Sequence, residues 1–147
     1  MNTIANNERT KQVAAILGRF GLSAIFLMSA LGKIFDFQGT QAYMESAGMP
    51  LTAFFLVGAI LLQTGGGLSL LLGYQVRWGV VALLVFLVPA TLIFHAFWAV
   101  PPEMQQMQMI NFMKNMAIGG ALLLSFVHGA GPFSIDAKLM RSQHAGA

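Results

Sequence analysis

WGVVALLVFLVPATLIFHAFW, residues 78–98, decides the fold. The stretch carries no Asp, Glu, Lys or Arg and has a tryptophan at each end. At ~1.5 Å per residue the two rings would stand about 30 Å apart along a helix, one hydrocarbon thickness, and indole rings prefer the two membrane interfaces. It therefore reads as a membrane-spanning helix in a fixed register. Pro89, near its middle, has no N–H for the carbonyl of Val85 and clashes with it, which predicts a bend that re-aims the half carrying His95.

Three more runs of comparable length and apolarity lie at 13–34, 51–72 and 110–127. Lipid gives the backbone no hydrogen-bond partners, so each run has to close its own bonds as a helix; none alternates as a barrel strand would. The predicted fold class is all-α, a polytopic membrane protein built as a four-transmembrane-helix bundle. Composition agrees: 56% of the 147 residues are apolar and 9% charged, against about a quarter charged in soluble domains. Residues 13–128 then form one membrane domain, between a short N-terminal segment at 1–12 and a tail at 129–147. Arg9 and Lys11 before an apolar run resemble a signal peptide, but the run is span-length, lacks a clear small-residue cleavage site and is followed by three more spans, so it is expected to stay. The absence of cysteine removes disulfides, thiolate metal sites and thiol redox chemistry.

The basic residues Arg9, Lys11, Arg77, Lys138 and Arg141 fall at one end of a four-span chain, which predicts cytoplasmic termini. The net charge of +3 is a topology signal; basic residues are not clustered on a soluble face, and nucleic acid is excluded as a partner. Between spans one and two, residues 37–49 read as a short interfacial helix stopped by Gly48 and Pro50. In the tail, Gly131 and Pro132 are breakers and Ser134 a helix cap, and the tail is expected to be mobile. Small residues recur as Gly65, Ser69 and Gly73 on span two and as Ala117, Ala121 and Ser125 on span four, predicting that these two spans touch closely.

Two groups of polar residues carry the candidate chemistry. Arg19 lies about six residues inside span one, where a charge costs up to ~3 kcal/mol. It either snorkels to lipid phosphate or forms an intramembrane polar pair with Gln63, the only amide at a comparable level. At the opposite end, Lys33, His95, Trp98, Asn111, Lys114 and Asn115 share one depth, and Asn111, Lys114 and Asn115 share one helical face. The competing account is a rim of interfacial residues. If they converge, two lysines with only Asp36, Glu45 and Glu103 nearby make an electropositive ligand-binding pocket, with His95 as the candidate proton carrier. His95 and His128 lie near opposite faces and cannot clasp one haem iron. Met104, Met107, Met109, Met113 and Met116 offer thioethers suited to Cu(I), although methionine is also ordinary apolar filling. No metal site is expected.

Arg19 and Lys33 on span one, Gly65 to Gly67 with Gly73 on span two, Phe94-His95-Ala96-Phe97-Trp98 closing span three, Phe112-Met113-Lys114-Asn115 opening span four, and a tail from Gly129 to Asp136 together resemble the DoxX family. The resemblance spans residues 19–136. It implies a four-helix bacterial inner-membrane protein; the family is named from subunits of quinone-linked oxidoreductases of sulfur metabolism, and many members have no defined activity. Relatives often carry an acid near the position of Gln63, and its replacement by an amide argues against a proton relay with Arg19. The expected function is an accessory or quinone-interacting subunit of a membrane redox system, with quinone as the ligand and no covalently bound cofactor. A non-enzymatic membrane scaffold is the alternative, and a permease ranks last. Expected partners are the lipid bilayer, other redox or membrane subunits, or further copies of the chain in a homo-oligomer.

Overall fold

The structure is a computed structural model that describes residues 2–131 and 133–145, with side chains described for 9–131 and 133–143. Its helices are α1 (Asn2–Phe35), α2 (Phe37–Ser46), α3 (Thr52–Leu72), α4 (Val76–Phe94), α5 (Pro102–His128) and α6 (Ile135–Ala145), with a 3-10 turn at Phe97–Ala99 before α5. No strand occurs among the described residues. Helices α1, α3, α4 and α5 are long and apolar enough to cross a membrane, as the four runs predict.

The boundaries differ from the sequence estimate in three places. Helix α1 begins at Asn2, so most of the segment placed outside the bundle continues the first helix. Helix α5 begins at Pro102, eight residues before the fourth run (110 − 102), because a proline at the first helical position lacks only an N–H that would be unpaired anyway. The run 78–98 is not one helix. Helix α4 stays helical through Pro89, ends at Phe94 and has His95 as its C-cap. Downstream, Pro101 forces Val100 into extended backbone (φ −114°, ψ 158°), so the chain leaves the helix before it turns into α5.

Helix α3 packs between α1 and α4, α5 packs on the far side of α4, and α1 and α5 scarcely touch. The core consists of Phe26, Leu70, Val76, Val80, Leu83, Leu87 and Leu122. The predicted close contact between the second and fourth spans is absent: small residues serve the α3–α4 and α1–α3 seams instead. A Cβ on Gly66 would come within 2.8 Å of the Gly79 carbonyl, and one on Gly67 would strike Leu27, whereas at Gly65 it would meet nothing within 4 Å. Small-residue spacing marks helix faces that admit close approach, but it does not say which neighbour arrives.

Helix α2 is the predicted interfacial helix. Asp36 caps it, accepting from the Gly39 N–H at 3.1 Å, and Gly48 ends the segment with φ 76°.

At the end of the bundle that carries the termini, the start of the tail is bonded to α1 and to the α3–α4 turn. Gly73 ends α3 in the left-handed region (φ 65°), its carbonyl accepts from the Asp136 N–H at 3.0 Å, and Asp136 Oδ1 accepts from the Gln75 N–H at 3.0 Å. Ser134 is the predicted cap, its Oγ accepting from the Ala137 N–H at 3.1 Å. Pro132, the other predicted breaker, lies outside the described residues. The buried Arg19 guanidinium donates from Nη1 to the Ala130 carbonyl at 2.7 Å and from Nη2 to the Phe133 carbonyl at 3.0 Å. The Arg19–Gln63 pair does not form. Antiparallel α1 and α3 place Gly73 beside Arg19 and Gln63 beside Ser29, ten residues further along α1 (29 − 19), about 15 Å away.

Candidate functional site

The other end of the bundle is open inside. Lys33, in the last turn of α1, folds back along its own helix and donates from Nζ to Ser29 Oγ at 2.7 Å and to the Ser29 carbonyl at 3.3 Å. Helical side chains lean toward the N-terminus, so this lysine points into the membrane rather than out to the rim. Its Nζ also lies 5.6 Å from the centre of the Phe86 ring. The ammonium group is thus met by a hydroxyl, a carbonyl and an aromatic face, and no carboxylate neutralises it there.

Gln63 on α3 completes this side. Its Nε2 donates to the same Ser29 Oγ at 3.0 Å, while its buried Oε1 has no partner. On the opposite wall, His95 Nδ1 lies 2.8 Å from Gln108 Oε1. With the Gln108 amide in that orientation, Nδ1 carries the proton and Nε2 is the free ring nitrogen. Asn115 on α5 donates from Nδ2 to Thr91 Oγ1 at 3.0 Å, and that hydroxyl in turn donates a hydrogen bond to the Leu87 carbonyl at 2.6 Å. Asn115 Oδ1 is left as an acceptor. Helix α2 roofs the space with Tyr43, stacked on Phe94 at 5.3 Å.

Ser29, Lys33, Tyr43, Gln63, His95 and Asn115 line one cavity of about 440 Å³, a common size for small-molecule sites, whose remaining walls include Phe26, Phe86, Leu87 and Phe94; Gln108 and Thr91 bond to lining residues but are not on its wall. Of the residues singled out in the sequence, Lys33, His95 and Asn115 meet here. Gln63 joins them, although the sequence placed it with Arg19. Trp98, Asn111 and Lys114 are not on the wall. Trp98 is exposed and packs edge-on to Phe97 and Phe112, at 5.0 and 5.7 Å between ring centres. Lys114 is exposed because neighbours on a helix are about 100° apart: with Asn115 turned inward, Lys114 faces away. Asn111 is half-buried, but outside the cavity. The sequence reading missed Ser29, Tyr43 and Gln108. Ser29 had a usable signal, lying one turn before Lys33 on the same face.

Residues 14–96 match the DoxX family. Over 132 residues, 90% of this chain and 96% of the relative, the sequence is 33% identical to inner membrane protein YqjF of Escherichia coli K12. The chain belongs to the DoxX family. This DoxX protein is also 28% identical to inner membrane protein YphA of the same organism, over 94% of this chain and all of the relative. A more distant similarity, 27% over 67% of this chain and 38% of the relative, is to the surfeit locus protein 4 homolog of Schizosaccharomyces pombe. No solved structure matches. Two full-length inner-membrane relatives and four apolar helices make it a multi-pass bacterial inner-membrane protein. The family match runs from α1 to just past His95, so Lys33, Gln63 and His95 lie within it and Asn115 beyond it.

Proposed function

We propose that the cavity binds a quinone head group and that this DoxX protein is an accessory, quinone-interacting subunit of a membrane redox system. The observation that carries the proposal is an ammonium group without a carboxylate partner, held by Ser29 inside an apolar-walled cavity together with an imidazole and two amides. A quinone carbonyl accepts from Lys33. As the ring gains electrons, negative charge grows on that oxygen, and a fixed cation in a low-dielectric site stabilises it more than water would. Full reduction takes two electrons and two protons. In this reading the electrons come from a partner subunit, and His95 is the candidate proton carrier.

The basic residues at the end carrying the termini support cytoplasmic termini, and with that orientation the cavity faces the periplasmic side. Purified protein in nanodiscs should bind a short-chain quinone, and Lys33→Met should weaken binding at least tenfold. Undiminished binding in that variant, or no binding by the parent, would remove the quinone reading.

One observation favours the scaffold alternative: α5 buries only Leu122 and turns Met107, Met113, Met116 and Leu124 outward. Crosslinking from that face would return a stable protein partner in the absence of quinone.

A further inference from the structure

Beside the polar cavity lies a second one of about 570 Å³, lined by apolar residues and glycine. The two share Met44, Ala59, Phe86, Ala90 and Phe94 as walls, so that single side chains separate them. The second cavity is a groove between α3 and α4. It begins at the turn formed by Gly48, Met49 and Pro50 and descends past Phe54 and Gly58 to Leu62 and Val85. Val85 lies nine residues before Phe94 (94 − 85), about 13 Å deeper along α4, so the groove runs from the interfacial helix toward the middle of the bilayer.

The dividing wall is thin and conditional. Ala59 and Ala90 contribute only a methyl each. The two aromatic rings are held from the polar side: Phe86 beneath Lys33 Nζ at 5.6 Å and Phe94 against Tyr43 at 5.3 Å. Phe86 is thus both a wall of the groove and a contact of the Lys33 ammonium group.

The geometry points to an amphiphilic ligand with a long hydrocarbon tail. Its polar head occupies the Lys33 cavity, and its tail crosses between Ala59 and Ala90 into the groove. This rests on the quinone reading and adds the tail subsite. It also assigns Gly58 and Val85 as residues that select chain length. Continuity with the polar cavity argues for this occupant over an unrelated bilayer chain, because five residues serve both walls.

Gly58→Leu provides the test. Gly58 lines the groove but not the polar cavity, sits within a helix and has room for a Cβ with nothing inside 4 Å, so a leucine there narrows the groove from its α3 side. In nanodiscs, the parent should bind a quinone with an isoprenoid tail more tightly than the tail-less head at equal membrane concentration. In Gly58→Leu the tailed quinone should lose at least tenfold in affinity while the tail-less head binds as before. A tailed quinone with a photoreactive group midway along its chain should label Phe54, Phe55 or Val85 in the parent. Unchanged chain preference in Gly58→Leu, with labelling elsewhere, would overturn the tail subsite and leave the groove to ordinary lipid. Failure of the parent to bind the tail-less head would overturn the quinone reading, and the tail subsite with it.

Discussion

The bundle places a cation inside the membrane twice and satisfies it differently each time. At the end with the termini, Arg19 is committed: two nitrogens of its planar guanidinium reach two backbone carbonyls of the tail, at 2.7 and 3.0 Å, leaving only Nε without a partner. At the other end, Lys33 rests on a serine one turn back and borders a cavity. Arginine suits the first role because its donors are fixed in a plane, and lysine the second because its ammonium can turn toward a new acceptor. A buried charge with fixed backbone partners holds structure together, whereas one on a movable hydroxyl beside open space has capacity for a ligand.

Breaking the Arg19 site should have the largest effect. Arg19→Met removes two charge-assisted hydrogen bonds and strands the carbonyls of Ala130 and Phe133, a loss of about 3 kcal/mol. Thermal unfolding in detergent should show it, and protease should cut near Gly129 to Gly131 in the variant but not in the parent. Binding at the far cavity should be retained in the fraction that remains folded. If the variant melts like the parent, the tail is not held by this contact.

Gly73→Ala attacks the same site from the backbone. Alanine at φ 65° is strained, and its methyl would collide with Arg19 and Ser134, together costing about 2 kcal/mol. Because both substitutions act on one contact, the double variant should lose less than the sum. Additive losses would mean that Gly73 and Arg19 stabilise the fold separately.

The two regions were unequally legible in the sequence. Run length, paired tryptophans and the lack of charge fixed the number of spans, because the bilayer allows a backbone few alternatives. The contacts of the tail were not legible because its anchors are backbone carbonyls of Ala130 and Phe133, which no side-chain pattern advertises. Lys33, His95 and Asn115 were found because four antiparallel spans bring chemically distinctive residues to one depth. Helix rotation was not legible: Lys114 and Asn115 are adjacent in sequence, yet only the contacts of Asn115 with Thr91 reveal which of them faces inward. Gln63 bonds to Ser29 and not to Arg19 because ten residues of α1 separate those two levels, a register that an estimate of span bounds does not resolve.

Lys33→Met should invert the Arg19 result. Its loss leaves Ser29 still bonded to Gln63 and puts an apolar chain against Phe86, so melting should move little in either direction. Quinone affinity should nonetheless fall at least tenfold, about 1.4 kcal/mol. A variant that loses stability as Arg19→Met does would make both cations structural and erase the contrast.

The smallest effect belongs to Lys114, and it is the sharpest control. It has the same charge as Lys33, lies at a similar depth and adjoins a cavity residue in the chain, but its side chain is exposed on the outer face of α5. If binding reflects only positive potential at this end of the bundle, Lys114→Gln should weaken it as Lys33→Met does, because both remove one unit of charge. If it reflects a hydrogen bond from an ammonium group facing the cavity, Lys114→Gln should leave affinity and melting as they were. Measuring both variants at low and high salt separates the two further: a long-range contribution from an exposed charge fades within a Debye length of ~10 Å at 0.1 M, while a direct contact within the cavity persists.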